Sequence, residues 1–170
     1  MRDRWKAEIY FGIAFSNNIR KPLKKNLANN RYVRISHGWG TFSDVSEILR
    51  LKLLPDPFHH QLTSVFFGEP LDDALFGLPI HIYFNAGIAN HWNSRIQNNL
   101  LELIFNIKFY YTVALPVRLR FGVAEGISYI TEVTNIEKQK MAEEQYNPSK
   151  LLNYLDFSLD LNLGDIFGEI

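Results

Sequence analysis

Between Leu100 and Tyr129 the chain alternates apolar and polar residues through two long runs joined by a tight turn. Leu101, Leu103, Phe105, Ile107, Phe109, Tyr111 and Val113 fall on one face of an extended strand. Glu102, Asn106, Lys108, Tyr110 and Thr112 fall on the other, and only Ile104 breaks the pattern. Side chains alternate across a strand with period two, so this is one greasy face and one polar face. Past Ala114-Leu115-Pro116 the pattern resumes. Val117, Leu119, Phe121 and Val123 oppose Arg118, Arg120, Gly122, Ala124, Gly126 and Ser128. Pro116 stands at the turn, where its missing N–H costs little. Each run exceeds the roughly 5–6 residues of a globular strand and reaches the roughly 9–11 that a tilted strand needs to cross a bilayer. The greasy face is large and almost unbroken, while the polar face carries whole charges. A soluble sandwich with one wet face shows the same alternation, as does a small ligand-binding barrel.

The pattern recurs. Trp5–Phe15 sets Trp5, Ala7, Ile9, Phe11, Ile13 and Phe15 against Lys6, Glu8, Tyr10, Gly12, Ala14 and Ser16. Tyr32–Trp39 is a second strand, with His37 on its apolar side, and Phe58–Phe67 a short, weakly patterned third. Leu78–Ala89 alternates Ile80, Ile82, Phe84, Ala86 and Ile88 with His81, Tyr83, Asn85, Gly87 and Ala89. Leu151–Leu163 alternates most cleanly. About seven strands result. Ser43, followed by Ser46 and Glu47, is read as opening a brief helix through Leu51, ended by Pro55 and Pro57. Glu69-Pro70-Leu71-Asp72-Asp73 reads as a turn. The short turn at 114–116 contrasts with long polar connections over 17–30 and 132–150, as the two rims of a membrane barrel do. The basic loop (Arg20, Lys21, Lys24, Lys25) is a solvated loop or a contact for anionic headgroups.

Composition narrows the classes. Lys+Arg and Asp+Glu are both 18, so no net field draws nucleic acid. Mean hydropathy is −0.13, which suits a barrel with a polar lumen as well as a soluble protein. No apolar run is long enough for a transmembrane helix, and without cysteine there is no disulfide frame and no thiolate chemistry. Met1-Arg2-Asp3-Arg4-Trp5 does not open a signal peptide, which an outer-membrane protein needs. The expectation is one barrel domain over 1–170, lacking its signal peptide and its C-terminal strands.

The candidate site is the set of inward polar residues: Glu102, Lys108, Tyr110, Arg118, Arg120, Asp156 and Asp160. In a narrow lumen these charges must pair. They form a salt-bridge plug that holds the barrel together, or else a polar pore or binding site. With the turn at 114–116, Thr112 is expected opposite Arg118 and Tyr110 opposite Arg120. Glu125 falls on the apolar face, and a bulge near Gly122 or Gly126 is expected to turn it inward. The histidines (37, 59, 60, 81, 91) show no metal spacing, and neither a phosphate loop nor a G-x-S-x-G elbow occurs. No cofactor, metal site or catalytic residue is therefore assigned. Trp5, Trp39, Trp92, Tyr110, Tyr111 and Tyr129 are candidates for interfacial belts, or for single aromatics in a soluble core.

The runs Tyr32–Asp44, Leu75–Pro79, Arg120–Tyr129 and Leu152–Ser158 resemble bacterial outer-membrane barrels of the MipA/OmpV (MltA-interacting) family. The resemblance spans most of residues 30–168. It implies an all-β, antiparallel, up-and-down transmembrane β-barrel of about 8–10 strands when complete, in a Gram-negative outer membrane. It implies a scaffolding role in the cell envelope, with outer-membrane lipid or lipopolysaccharide and murein-metabolising enzymes as partners, and no nucleic acid. A weaker similarity to lipid A 3-O-deacylases implies a barrel hydrolase. Its His/Ser site would lie beyond this chain, so no catalytic residue carries over. A soluble ligand-binding β-barrel is the third class.

Overall fold

The computed structural model describes residues 7–16, 31–41, 43, 47–48, 50, 52–54, 56–95, 97–114, 117–133 and 149–161. They form one antiparallel sheet of seven strands: β1 (Ala7–Ser16), β2 (Tyr32–Thr41), β3 (Gln61–Asp72), β4 (Ile80–His91), β5 (Leu100–Ala114), β6 (Arg118–Ile130) and β7 (Leu151–Leu161). Each strand pairs with its neighbours in sequence, an up-and-down meander in the order β1 to β7. The alternation foreseen in the sequence is the reason. Most strands offer one apolar and one polar face, and neighbouring strands keep like faces on the same side only if their registers agree.

The sheet curls into a half-barrel. Arg34 on β2 reaches Asp156 on β7, 3.2 Å apart. The Phe66 ring of β3 lies 6.2 Å from that of Tyr154 on β7. Contacts between strands so far apart in the order require a concave face. Two clusters pack there. Leu62, Phe66, Ala89 and Ile104, with Tyr154 against them, make an apolar floor. Tyr32, Tyr83 and Tyr110 make an aromatic group further along. Ile104, the break in the alternation of β5, is thereby explained: it is an inward residue of the apolar floor.

Several local expectations are corrected. The β5–β6 hairpin closes on Ala114↔Arg118, with Thr112 opposite Arg120 and Tyr110 opposite Gly122. Val117 thus belongs to the turn, and the register lies two residues from that expected. β3 runs on through Glu69-Pro70-Leu71-Asp72, read as a turn. Pro70 is accommodated beside a register shift between Pro70 and Asp72. Glu125 pairs in register with Ile107 and Leu155, with no bulge, so it stays on the convex face. The Ser43 hydroxyl, read as a helix cap, donates to the Lys52 carbonyl and accepts from Leu54 N–H. Glu47 and Ile48 are helical, and residues 44–46, 49 and 51 of the expected helix lie outside the described residues. The rims also differ from expectation. The long 17–31 segment and the short 115–117 turn leave the same end of the sheet. Trp5, Leu163 and the whole 134–148 segment lie outside the described residues.

The turn before β3 is tied by one carboxylate. Asp56 accepts from Phe58 N–H, from His60 N–H and from the His60 ring, while His59 takes a left-handed φ of 57°. Burial pushes the Asp56 carboxyl up, but these hydrogen bonds outweigh it and hold it below the ordinary carboxylate range.

Candidate functional site: the polar network of the concave face

On an up-and-down sheet, inward residues of neighbouring strands form rows. Here the rows follow a simple device: a long side chain lies across a small residue of the next strand and reaches the strand beyond. Tyr32 pairs with Gly68, which pairs with Asn85, and the Tyr32 hydroxyl donates to Asn85 Oδ1 at 2.7 Å. A methyl group on Gly68 would sit 2.3 Å from the Tyr32 ring. Phe66 likewise spans Gly87 toward Ile104. Lys108 spans Ala124 to Asp156, with Nζ 2.6 Å from Oδ2. Tyr110 lies over Gly122 toward Ser158. Small residues at alternate inward positions are what let buried polar groups find partners two strands away.

The network has three parts. In the first, the Tyr32 hydroxyl donates to Asn85, so its contact with the Tyr110 hydroxyl at 3.2 Å has Tyr110 as the donor. Asn85 Nδ2 donates in turn to Asn106 Oδ1 at 2.8 Å. The result is a one-way chain from Tyr110 through Tyr32 and Asn85 to Asn106. In the second part, Asp156 Oδ2 accepts from both Arg34 Nη2 and Lys108 Nζ. The Arg34 guanidinium also lies 4.7 Å over the Phe66 ring. In the third, Arg120 makes a two-pronged contact with Asp160 at 3.0 and 2.8 Å. Its guanidinium stacks 4.1 Å over Tyr110.

Of the seven residues expected inside, Lys108, Tyr110, Arg120, Asp156 and Asp160 join this network, and Glu102 is placed separately. Glu102 meets His91 Nε2 at 2.8 Å, away from the others. Arg118 is half-buried and begins β6, two residues before Arg120. Tyr110, offered also for an interfacial belt, is buried in the interior instead. Sequence reasoning missed Tyr32, Arg34, Asn85 and Asn106. Each stands at an alternate inward position of its strand, so the signal was present in the same alternation. What was absent was any sign that β2 faces β7.

The convex face is the reverse of the interior. Phe11, Ile35, Phe67, Ile88, Phe105, Phe121, Phe157 and Leu159 all point outward and are exposed. Glu125 is the carboxylate among them on β6. At one end of the sheet, where β2, β4 and β6 finish, stand exposed Trp39, Trp92 and Tyr129. There the Trp92 indole donates to Thr63 Oγ1, which also meets His37 Nδ1, both at 2.8 Å. His37, the flaw in the apolar face of β2, thus belongs to a polar edge. Tyr111 is exposed near the opposite end. Compared with known protein families, curated proteins and solved structures, the chain matches none.

Proposed function

We propose that this sheet is the wall of a β-barrel embedded in a bacterial outer membrane, with a structural role. One observation carries the reading: polarity is inverted across the sheet. Lys108 is 0 % exposed and paired inside, whereas Phe157 on the convex face is 60 % exposed. A soluble ligand-binding barrel needs the opposite, since burial of apolar surface is what drives its folding. Large exposed apolar surfaces on soluble monomers are small, rarely above a few hundred Å². Strands of 10 to 15 residues fit a bilayer crossing, and Trp39, Trp92 and Tyr129 suit an aromatic girdle at one interface. No helix among the described residues is long and apolar enough to cross a membrane.

The paired charges favour a plug over an open pore. A scaffolding role in the cell envelope, like that of the MipA/OmpV proteins the sequence resembles, fits such a filled interior. Partners of this reading are outer-membrane lipid and murein-metabolising enzymes. Seven antiparallel strands leave β1 and β7 running in the same direction. Antiparallel closure therefore takes an odd number of further strands, which favours an even total of 8 or 10.

The test is gel mobility before and after boiling, on protein refolded in detergent, together with fluorescence quenching by brominated lipid. A heat-dependent shift, and quenching of Trp39 and Trp92, are expected. A chain that stays monomeric and β-folded without detergent sinks the reading.

A further inference from the structure

We infer that the concave face binds an oxyanion, a phosphate or carboxylate group, beside Asp156. Two positive charges there share one negative one. Arg34 and Lys108 both donate to the same oxygen, Asp156 Oδ2. All three side chains are withdrawn from solvent, at 13 %, 0 % and 12 % exposure. Burying an unbalanced charge is costly, so a further anion is strongly favoured at this point.

The hydrogen-bond inventory points the same way independently. Among the described residues, four buried side-chain polar atoms have no partner in the protein: Arg34 Nε, Asn106 Nδ2, Ser158 Oγ and Gln97 Oε1. Three of the four carry a proton to donate, and those three surround the Lys108–Asp156 row. Arg34 Nε belongs to the guanidinium already on Asp156. Asn106 and Ser158 lie one inward position to either side, about 6.6 Å along their strands. Asn106 is 3 % exposed. It is also where the chain from Tyr110 ends, and with the two amides oriented as they are its Nδ2 is left free to donate. The surplus positive charge and the free Arg34 Nε–H coincide beside Asp156, with Asn106 and Ser158 flanking them, and an oxyanion there supplies the acceptor that both lack.

The inference concerns the concave face and stands whatever surrounds the convex one. It is tested on the full chain, in micelles or in buffer, wherever circular dichroism shows the sheet. Calorimetric titration uses inorganic phosphate at low ionic strength in one arm and phosphatidic acid in mixed micelles in the other. Saturable one-to-one phosphate binding, weakened at least tenfold in Arg34→Gln, supports a site for a free solute. The same result for phosphatidic acid alone supports a site for a lipid headgroup. Asp156→Asn removes the competing carboxylate and is expected to tighten binding about tenfold. Should Arg34→Gln fail to refold, Ser158→Ala removes one hydroxyl and no charge, and a loss of about three- to tenfold is expected. Absence of saturable binding in both arms, or affinity unchanged in these variants, overturns the inference and leaves the donors to water.

Discussion

Charge arithmetic at Asp156 makes an asymmetric prediction. Asp156→Asn keeps the shape of the side chain but leaves Arg34 and Lys108 facing each other's charge in a buried setting. Removing one partner of a buried pair typically costs about 3–5 kcal/mol, because the remaining charge is stranded. Here two are stranded, so the loss should lie at the upper end. Lys108→Met instead leaves one cation with one anion. It forfeits a charge-assisted hydrogen bond, worth about 1.5–3 kcal/mol. It also removes the burial of an ammonium and its repulsion with Arg34, and it keeps a long apolar stem over Tyr110 and Gly122. The net change should fall within about 1 kcal/mol. The assay is urea unfolding of refolded protein in phosphate-free buffer, followed by tryptophan fluorescence, with an unchanged m-value as the check on a common mechanism. The double variant should be less damaged than Asp156→Asn alone, since only one stranded cation remains. If Lys108→Met proves as costly as Asp156→Asn, the two-to-one charge count is wrong and the reasoning falls with it.

Four further outcomes follow from other parts of the chain. Gly126→Ala places a methyl group 2.0 Å from the Phe105 carbonyl oxygen and 2.6 Å from Asn106 Cα. Backbone cannot yield there, so a loss of about 3 kcal/mol or more, or failure to refold, is expected. Gly77→Ala, in open space at a φ of +80°, should cost only about 1 kcal/mol by the same urea titration. Glu125→Leu removes the outward carboxylate of β6 and should stabilise the protein in bilayers by up to about 2 kcal/mol, with no such gain if that face meets water. Asp56 is held below the ordinary carboxylate range when folded, so its contribution is present above the unfolded value of about 3.9 and is lost as pH falls through the folded one. Wild type should therefore lose stability relative to Asp56→Asn below about pH 4, and parallel pH profiles would show that Asp56 does not carry this effect.

The strands were legible because period-two alternation is a local property. β5 and β6 combine some two dozen alternating residues, and tertiary context had little left to decide. The weakest reading, β3, was weak for a reason visible in its sequence. Leu62 and Phe66 point inward while Val65 and Phe67 point outward, so near the floor of the sheet both faces are apolar and alternation fades. Its overrun through Pro70 was hidden because proline ordinarily ends a ladder, and only the register shift spares it. The hairpin register missed by two because Val117 fits either the turn or the apolar face by composition. Pairing along the whole hairpin decides between them.

The interior network was only half legible, and the difference lies in reach. Arg120 and Asp160 are direct neighbours across β6 and β7, a pairing that follows from register alone. Lys108 and Asp156 are not: Ala124 stands between them. Their contact depends on Ala124 being small, as the contact of Tyr32 with Asn85 depends on Gly68. Read as a list, the inward glycines look like features of turns and strands. Read as rows, each marks where a long side chain crosses to the strand beyond. Arg34 carries the same logic furthest, since its partner lies 122 residues away and only the curl of the whole sheet brings them together. A substitution at Ala124 should thus break an ion pair to which it contributes no atom. Ala124→Leu would lift Lys108 off Asp156 while leaving both charges in place, and so uncouple them without removing either.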